Sequence, residues 1–163
     1  MKDNLEKNIS LLAQELIGKL SKENLEISFA ESMTGGMLAS SLTKEPHASK
    51  VFGLGIVTYS ETMKINLLNC KEETIMNEGV YSEETVLEMI DGLKNLSNAE
   101  VLVAVSGIAG PDFPKNHEVG EVYIAIAFNE HNRLYNKRFF GDRETIRLKT
   151  VEFCFAEVLK FLK

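Results

Sequence analysis

Short apolar runs alternate with segments of helical periodicity along this chain, and this alternation constrains the fold more than any other feature. The run with the strongest strand character is VLVAV at 101–105, which is apolar throughout and rich in β-branched residues. The polar stretch 129–133 separates two further runs and predicts a hairpin turn. The predicted strands are 25–30, 53–59, 101–105, 119–128 and 134–140. This pattern predicts an α/β fold, a three-layer α/β/α sandwich with a mixed, mostly parallel sheet of about five strands.

Helices are expected between these strands. Apolar residues recur at helical spacing over 5–20, and Met37–Thr43 continues as a helical pattern after the first strand. Ser60 and Ser82 are predicted N-caps, because a serine side chain accepts a hydrogen bond from an unpaired N–H of the first helical turn. Asp142 is expected to begin the last helix.

The size and charge of the chain limit the classes of function. A length of 163 residues predicts a single domain over 1–163, and 44% hydrophobic residues suffice for a buried core. The formal net charge is −6 and the basic residues are scattered, so direct nucleic-acid binding is not expected. Charges interrupt the N-terminal apolar positions, and no run approaches the roughly 18 apolar residues of a membrane span. We therefore expect a cytoplasmic protein without membrane contact.

The cysteines and histidines favour neither disulfides nor a metal site. Cys70 and Cys154 lie far apart without a C-x-x-C spacing, so both are predicted to be buried thiols. His47, His117 and His131 lie in predicted loops and are isolated from carboxylates at any metal-binding spacing. No metal and no cofactor are expected.

Three segments with reactive side chains follow predicted strands, at 30–36, 58–64 and 105–111. In open α/β sheets, ligands bind outside the carboxyl ends of the strands. We therefore expect these three segments to converge on one pocket.

Ser32 is a candidate nucleophile because it lies in a turn between a strand and a helix. The N–H groups near Thr34, Gly35 and Gly36 are candidates to bind a developing oxyanion, and paired glycines allow a ligand to approach the backbone. The alternative is that Ser32 or Thr34 only caps the following helix.

Lys64 and Tyr59 are the candidate partners of a nucleophilic serine. A buried lysine with a lowered pKa can serve as the base, as in Ser-Lys hydrolases. Tyr59 ends a predicted strand and Lys64 lies one turn into the next helix, so both side chains can face the cleft. The alternatives are a solvated lysine and a tyrosine placed by its β-propensity.

Ser106 and Gly107 begin the third segment, Ser-Gly-Ile-Ala-Gly-Pro. This segment could form a tight loop around a substrate, or it could be an ordinary exit from a buried strand.

Arg143 and Arg147 are spaced i, i+4 at the start of the last predicted helix and therefore share a face. Two guanidinium groups on one face suit a phosphate or a carboxylate. The alternative is surface ion pairing with Glu144 or Glu157.

Four segments together resemble the CinA C-terminal domain family. They are FAESMTGGMLASSLT, GLGIVTYSETMKINLL, VSGIAGP followed by VGEVYIAIA, and FGDRETIRLKT. They occur in the order and at the spacing of that family, from about Ala30 to the last helix. Members of the family are known as nicotinamide mononucleotide amidohydrolases, which release ammonia in pyridine-nucleotide salvage.

The resemblance implies roles for the candidate residues. Ser32 looks like the nucleophile, Lys64 like its base and Tyr59 like its assistant. Arg143 and Arg147 match the family's Gly-Asp-Arg-x-x-x-Arg segment and would hold the 5′-phosphate of the nucleotide. Ser106 stands where the family typically has threonine. The implied partner is the small nucleotide substrate, no metal is required, and a homodimer is a reasonable expectation for a small α/β enzyme.

Two other functions remain open at this stage. The segment 110–120 is one residue shorter and bulkier than the glycine-rich loop of the family, since it contains Asp112 and Phe113. A nucleotide-binding or regulatory domain without turnover is therefore one alternative. A DNA-processing accessory is the other, although the acidic net charge argues against direct DNA contact.

Overall fold

The computed structural model describes residues 2–163 as alternating helices and strands. The helices are α1 (Lys2–Glu23), α2 (Met37–Thr43), α3 (Glu61–Leu68), α4 (Glu72–Asn77), α5 (Glu83–Leu96) and α6 (Arg143–Phe161). The strands are β1 (Ile27–Glu31), β2 (Phe52–Val57), β3 (Val101–Gly107), β4 (Glu121–Phe128) and β5 (His131–Arg138). All five predicted strands are present with shifted ends. Helix α4 and a short 3-10 helix at Ala48–Lys50 were not predicted.

The five strands form one sheet in the order β2-β1-β3-β4-β5. Strand β1 pairs in parallel with β2 and β3, whereas β4 is antiparallel to both of its neighbours. Four of the five strands therefore run in the same direction, and the prediction of a mixed, mostly parallel sheet is confirmed.

Helices cover both faces of the sheet. One apolar cluster joins α1, α2 and α6 to one face, and a second joins α5 and the end of α3 to the other. Strand β3 lies at the centre of the sheet and is buried along its whole length, as expected for a parallel strand covered on both faces. The predicted three-layer sandwich is therefore confirmed.

The hairpin between β4 and β5 is tighter than predicted. Only Asn129 and Glu130 connect the strands, and β5 begins at His131, so the predicted turn 129–133 is too long. Asn129 adopts φ 54°, a left-handed conformation that suits a two-residue hairpin. The polar residues after it are compatible with a strand because β5 is an exposed edge of the sheet.

Three predicted helix starts are confirmed by side-chain caps. Ser60 accepts the N–H of Met63 at 3.2 Å, and Ser82 accepts the N–H of Thr85 at 3.1 Å. Asp142 caps α6 in the same way. The caps fix where α3 and α6 begin, and these two helices carry three of the candidate site residues, Lys64, Arg143 and Arg147.

A search of residues 2–163 for a helix with the length and apolar character of a membrane span finds none.

Candidate active site

The strongest feature of the site is a contact between Lys64 and Ser32. Lys64 Nζ lies 2.9 Å from Ser32 Oγ, although the residues are 32 positions apart. Lys64 is only 1% exposed and Ser32 is 5% exposed. The second oxygen near the amine is the carbonyl of Thr58, also at 2.9 Å. The two residues that the sequence suggested as base and nucleophile are therefore adjacent.

The surroundings of Lys64 make its amine easier to deprotonate than that of an exposed lysine. Burial lowers the pKa of Lys64 to about 8, and the weaker effects of Cys70 and Glu61 oppose this shift. Within residues 2–163, no carboxylate oxygen lies within ion-pair distance of the amine. A lysine with a pKa near 8 can exchange protons close to neutral pH.

The turn that carries Ser32 is organised by the preceding residue, Glu31. This carboxylate is fully buried and accepts the N–H groups of Gly36, Leu38 and Ala39 at 2.9–3.0 Å. It therefore caps α2 and offsets the partial positive charge at the start of that helix. Glu31 was missed by sequence reasoning.

These bonds change the expected oxyanion donors. The N–H of Gly36 is bound to Glu31 and that of Gly35 to the Ser32 carbonyl, so neither is available and this part of the prediction is wrong. Within the described part of the chain, the N–H groups of Met33 and Thr34 have no protein acceptor. The donors that remain near Ser32 are these two.

Tyr59 and Arg143 meet at the mouth of the site. The Tyr59 hydroxyl accepts a hydrogen bond from Arg143 Nη2 at 2.8 Å, and Tyr59 is 58% exposed. Arg143 also donates to the carbonyl of Gly110, which lies after β3. Arg143 thus links two of the three predicted site segments.

Arg147 lies one turn further along α6 and contacts the remaining predicted site segment, 30–36. Its Nη2 donates to the carbonyl of Thr34 at 2.6 Å. The predicted alternative, pairing of the arginines with Glu144 or Glu157, is not observed: Glu144 contacts Lys2, and Glu157 contacts Lys160 and Tyr135.

Ser106 and Gly107 lie inside β3 instead of in a loop, so the predicted end of this strand is too early. The Ser106 hydroxyl is buried and donates to the carbonyl of Val80 at 2.7 Å, which fixes the segment before α5. A Cβ at Gly107 would lie 2.6 Å from the carbonyl oxygen of Glu121, so the close approach of the strands requires glycine there. Neither residue lines the cavity at this edge of the sheet, so their contacts hold neighbouring segments in place.

A cavity of about 460 Å³ opens at this edge of the sheet. Its lining consists of Met33, Gly35, Val57, Tyr59, Arg143 and Arg147. A larger groove of about 640 Å³ lies between α1 and α6, but it shares no lining residue with this cavity. Ser32 and Lys64 are not lining residues, but Met33 and Gly35 of the lining belong to the turn that carries Ser32, so the smaller cavity is the candidate site.

The predictions about cysteines and histidines have mixed outcomes. Cys70 and Cys154 are buried thiols, as predicted. His117 lies in a loop, as predicted, but it is not isolated from carboxylates, because its Nδ1 lies 2.8 Å from the Glu121 carboxylate. His131 begins β5 instead of lying in a loop. Across residues 2–163, no group of three or more His, Cys, Asp or Glu side chains is placed to hold a metal ion.

The fold and the site define an α/β domain with a serine–lysine pair at the carboxyl edge of its parallel strands. The chain belongs to the CinA C-terminal domain family, whose family model matches residues 9–162.

Similar proteins come from several bacteria. A CinA-like protein of Petrotoga mobilis is 42% identical over 149 residues, 91% of this chain and 37% of that protein. A CinA-like protein of Thermotoga maritima is 40% identical over 153 residues, 92% of this chain and 37% of that protein. This chain therefore spans a little over a third of the length of these relatives.

Solved structures show the same fold. The competence/damage inducible protein CihA from Agrobacterium tumefaciens has a TM-score of 0.92 and 34% identity, covering 96% of both chains. A competence or damage-inducible protein from Enterobacter asburiae has a TM-score of 0.92 and 30% identity, covering 95% of this chain and 98% of that one.

Proposed function

We propose that this chain hydrolyses the carboxamide of nicotinamide mononucleotide to nicotinic acid mononucleotide and ammonia. The observation that carries the proposal is the 2.9 Å contact between the buried Lys64 amine and the Ser32 hydroxyl. A serine hydroxyl is a weak nucleophile until an adjacent base takes its proton. The choice of substrate rests on the resemblance of the four sequence segments to the family.

The hydrogen-bond geometry supports Lys64 as the base. A neutral amine has two N–H donors and one lone pair, so it can donate to the Thr58 carbonyl while accepting the Ser32 proton. An ammonium group has three donors, and the two oxygens beside it can accept only two of them. With a pKa of about 8, about one amine in ten is unprotonated at pH 7.

The reaction then follows in two halves. Lys64 takes the proton of Ser32, whose oxygen attacks the carboxamide carbon, and the same proton passes to the departing nitrogen as ammonia leaves. Water then attacks the resulting ester, and Lys64 takes its proton and returns it to Ser32. The N–H groups of Met33 and Thr34 are assigned to the oxyanion, and one such donor typically contributes about 3–4 kcal/mol to transition-state stabilisation.

The arginines have different assigned roles. Arg143 is exposed at the mouth of the cavity and can bind the 5′-phosphate through its guanidinium group. Arg147 is half-buried and engaged with Thr34, so it mainly holds the segment that contains the oxyanion donors. Both supply positive charge at the site of a chain whose formal net charge is −6.

The test is ammonia release from nicotinamide mononucleotide by the parent, Ser32→Ala and Ser40→Ala. Ser40 lies exposed on α2, so its variant controls for loss of a serine hydroxyl near the site. We expect turnover in the parent and in Ser40→Ala, and a loss of about 1,000-fold or more in Ser32→Ala with an unchanged circular dichroism spectrum. Saturable binding of the nucleotide without ammonia release would instead favour the alternative function, a nucleotide-binding or regulatory domain without turnover.

A further inference from the structure

Three hydroxyl residues lie side by side at the carboxyl edge of the parallel strands. Thr58 follows β2, Ser32 follows β1, and Ser106 lies near the end of β3. The Thr58 N–H donates to the carbonyl of Glu31 at 2.9 Å, and the Ser32 N–H donates to the carbonyl of Val105 at 3.1 Å. The hydrogen-bond ladder between β2, β1 and β3 therefore continues past the ends of β2 and β1, and it places the three residues side by side.

The three side chains share one face of the sheet. The residues two positions earlier, Ile56, Ala30 and Ala104, all pack in the cluster that contains α5. Because side chains alternate along extended backbone, the hydroxyl residues point to the same side.

Thr58 differs from its two neighbours in its hydrogen bonding. Ser32 contacts Lys64, and Ser106 donates to Val80. Thr58 is fully buried, yet within residues 2–163 its Oγ1 has no hydrogen-bond partner. Buried hydroxyls are nearly always paired, so an unpaired one beside reactive groups calls for a physical reason.

We propose that Thr58 positions the water that hydrolyses the acyl-enzyme, an inference that rests on the proposed function. The carbonyl of Thr58 lies 2.9 Å from Lys64 Nζ, so the amine contacts the residue that carries the unpaired hydroxyl. Once Ser32 is acylated, its oxygen has no proton to give to Lys64. A water that donates one proton to Lys64 and the other to Thr58 Oγ1 directs its lone pair towards the ester on Ser32.

The step balances without another reactant. The water oxygen bonds to the ester carbon as its proton passes to Lys64 Nζ. The bond between that carbon and Ser32 Oγ then breaks, and Lys64 returns the proton to Ser32. The products are the free acid and the original serine.

The test compares acylation and deacylation in Thr58→Val, which removes the hydroxyl but keeps the shape, and Thr58→Ser, which retains the hydroxyl. The probe is p-nitrophenyl acetate, whose nitrophenolate burst reports acylation of Ser32, with Ser32→Ala as the background. We expect Thr58→Val to keep a full burst, to retain the acetyl group by mass spectrometry and to lose about tenfold or more of steady-state turnover. Thr58→Ser should stay near the parent.

Two results would overturn the role of Thr58. One is a Thr58→Val variant whose steady-state rate equals that of the parent. The other is a burst rate that falls as much as the steady-state rate, because the residue would then support the dyad or the fold. A parent whose nitrophenolate release, in both the burst and the steady state, does not exceed that of Ser32→Ala would instead contradict the proposed function itself.

Discussion

Arg143 Nη2 lies 2.8 Å from the hydroxyl oxygen of Tyr59, so one guanidinium joins the first turn of α6 to the segment after β2. The same side chain donates to the carbonyl of Gly110 in the segment after β3. These two segments form opposite sides of the site, and Arg143 therefore fixes their separation. The planar, forked guanidinium makes this two-point bridge possible, whereas a lysine offers a single point charge.

Replacing Arg143 with lysine is therefore expected to weaken substrate binding although the charge is kept. The Arg143→Lys variant loses the bridge and the bidentate phosphate contact, and we expect KM for nicotinamide mononucleotide to rise about tenfold. Steady-state kinetics measures this, with Arg133→Lys on the exposed strand β5 as the matched control. An unchanged KM would show that Arg143 does not contact the nucleotide.

The activity is expected to rise with pH through about 8. Burial lowers the pKa of Lys64 to about 8, and only the unprotonated amine can take the Ser32 proton. The acidic limb of the kcat/KM profile should therefore have a midpoint near pH 8. Rates measured from pH 6 to 9.5 in constant ionic strength test this, and a profile that is flat between pH 6.5 and 9 would exclude Lys64 as the base.

The same shift makes stability depend on pH. Between about pH 8 and the usual lysine pKa of 10.5, the unfolded chain binds more protons at this position than the folded chain, so the free energy of unfolding rises with pH. Below pH 8, Lys64 is protonated in both the folded and the unfolded chain, and the folded state bears the full energetic cost of a buried ammonium group. Urea unfolding of the parent and of Lys64→Met at pH 7.5 and 9.5 tests this. The free energy of unfolding of the parent minus that of Lys64→Met should be larger at pH 9.5 than at pH 7.5. A difference that stays constant would contradict the lowered pKa.

The residue pattern was sufficient for the layers, and the family resemblance pointed to the pairing of Ser32 with Lys64, but neither revealed the contacts that hold the site. The alternation of apolar runs predicted the sheet, and the Ser60 cap gave the start of α3, which places Lys64 one turn into the helix. Helix α4 was missed because EETIMN is short and mostly polar. The partners of Arg143 and Arg147 are backbone carbonyls 33 and 113 positions away, and no local pattern reveals such contacts.

Glu31 is the clearest case of a residue of the site that residue spacing alone could not reveal. A carboxylate just before a helix is a known cap, but Glu31 lies six positions before Met37, the first residue of α2, and ends a strand, outside the usual N-cap position. The glycines at 35 and 36 fold the chain back so that the carboxylate reaches the helix, and both have positive φ. Capping from this distance depends on the turn itself, which residue spacing alone does not specify.

Glu31→Gln is expected to lower the free energy of unfolding by about 2–3 kcal/mol. The amide keeps the volume but loses the negative charge and turns an NH₂ group towards N–H donors at Gly36, Leu38 and Ala39. Urea unfolding measures the change, and Glu130→Gln in the exposed β4–β5 turn is the control for the same substitution. Equal effects of the two substitutions would show that the three bonds contribute little.

The packing of α3 on α5 gives a final prediction, because it determines where Lys64 lies. A Cβ at Gly92 in α5 would lie 2.0 Å from the carbonyl oxygen of Leu68, the last residue of α3. Gly92→Ala therefore pushes α3 away from α5. We expect the free energy of unfolding to fall by about 1–3 kcal/mol and ammonia release to slow, since the shift of α3 moves Lys64 relative to Ser32. Gly18→Ala in α1 is the matched control: its Cβ meets nothing within 4 Å, so helix propensity should raise stability by about 0.5–1 kcal/mol. A Gly92→Ala variant as stable and active as Gly18→Ala would mean that the two helices do not approach so closely.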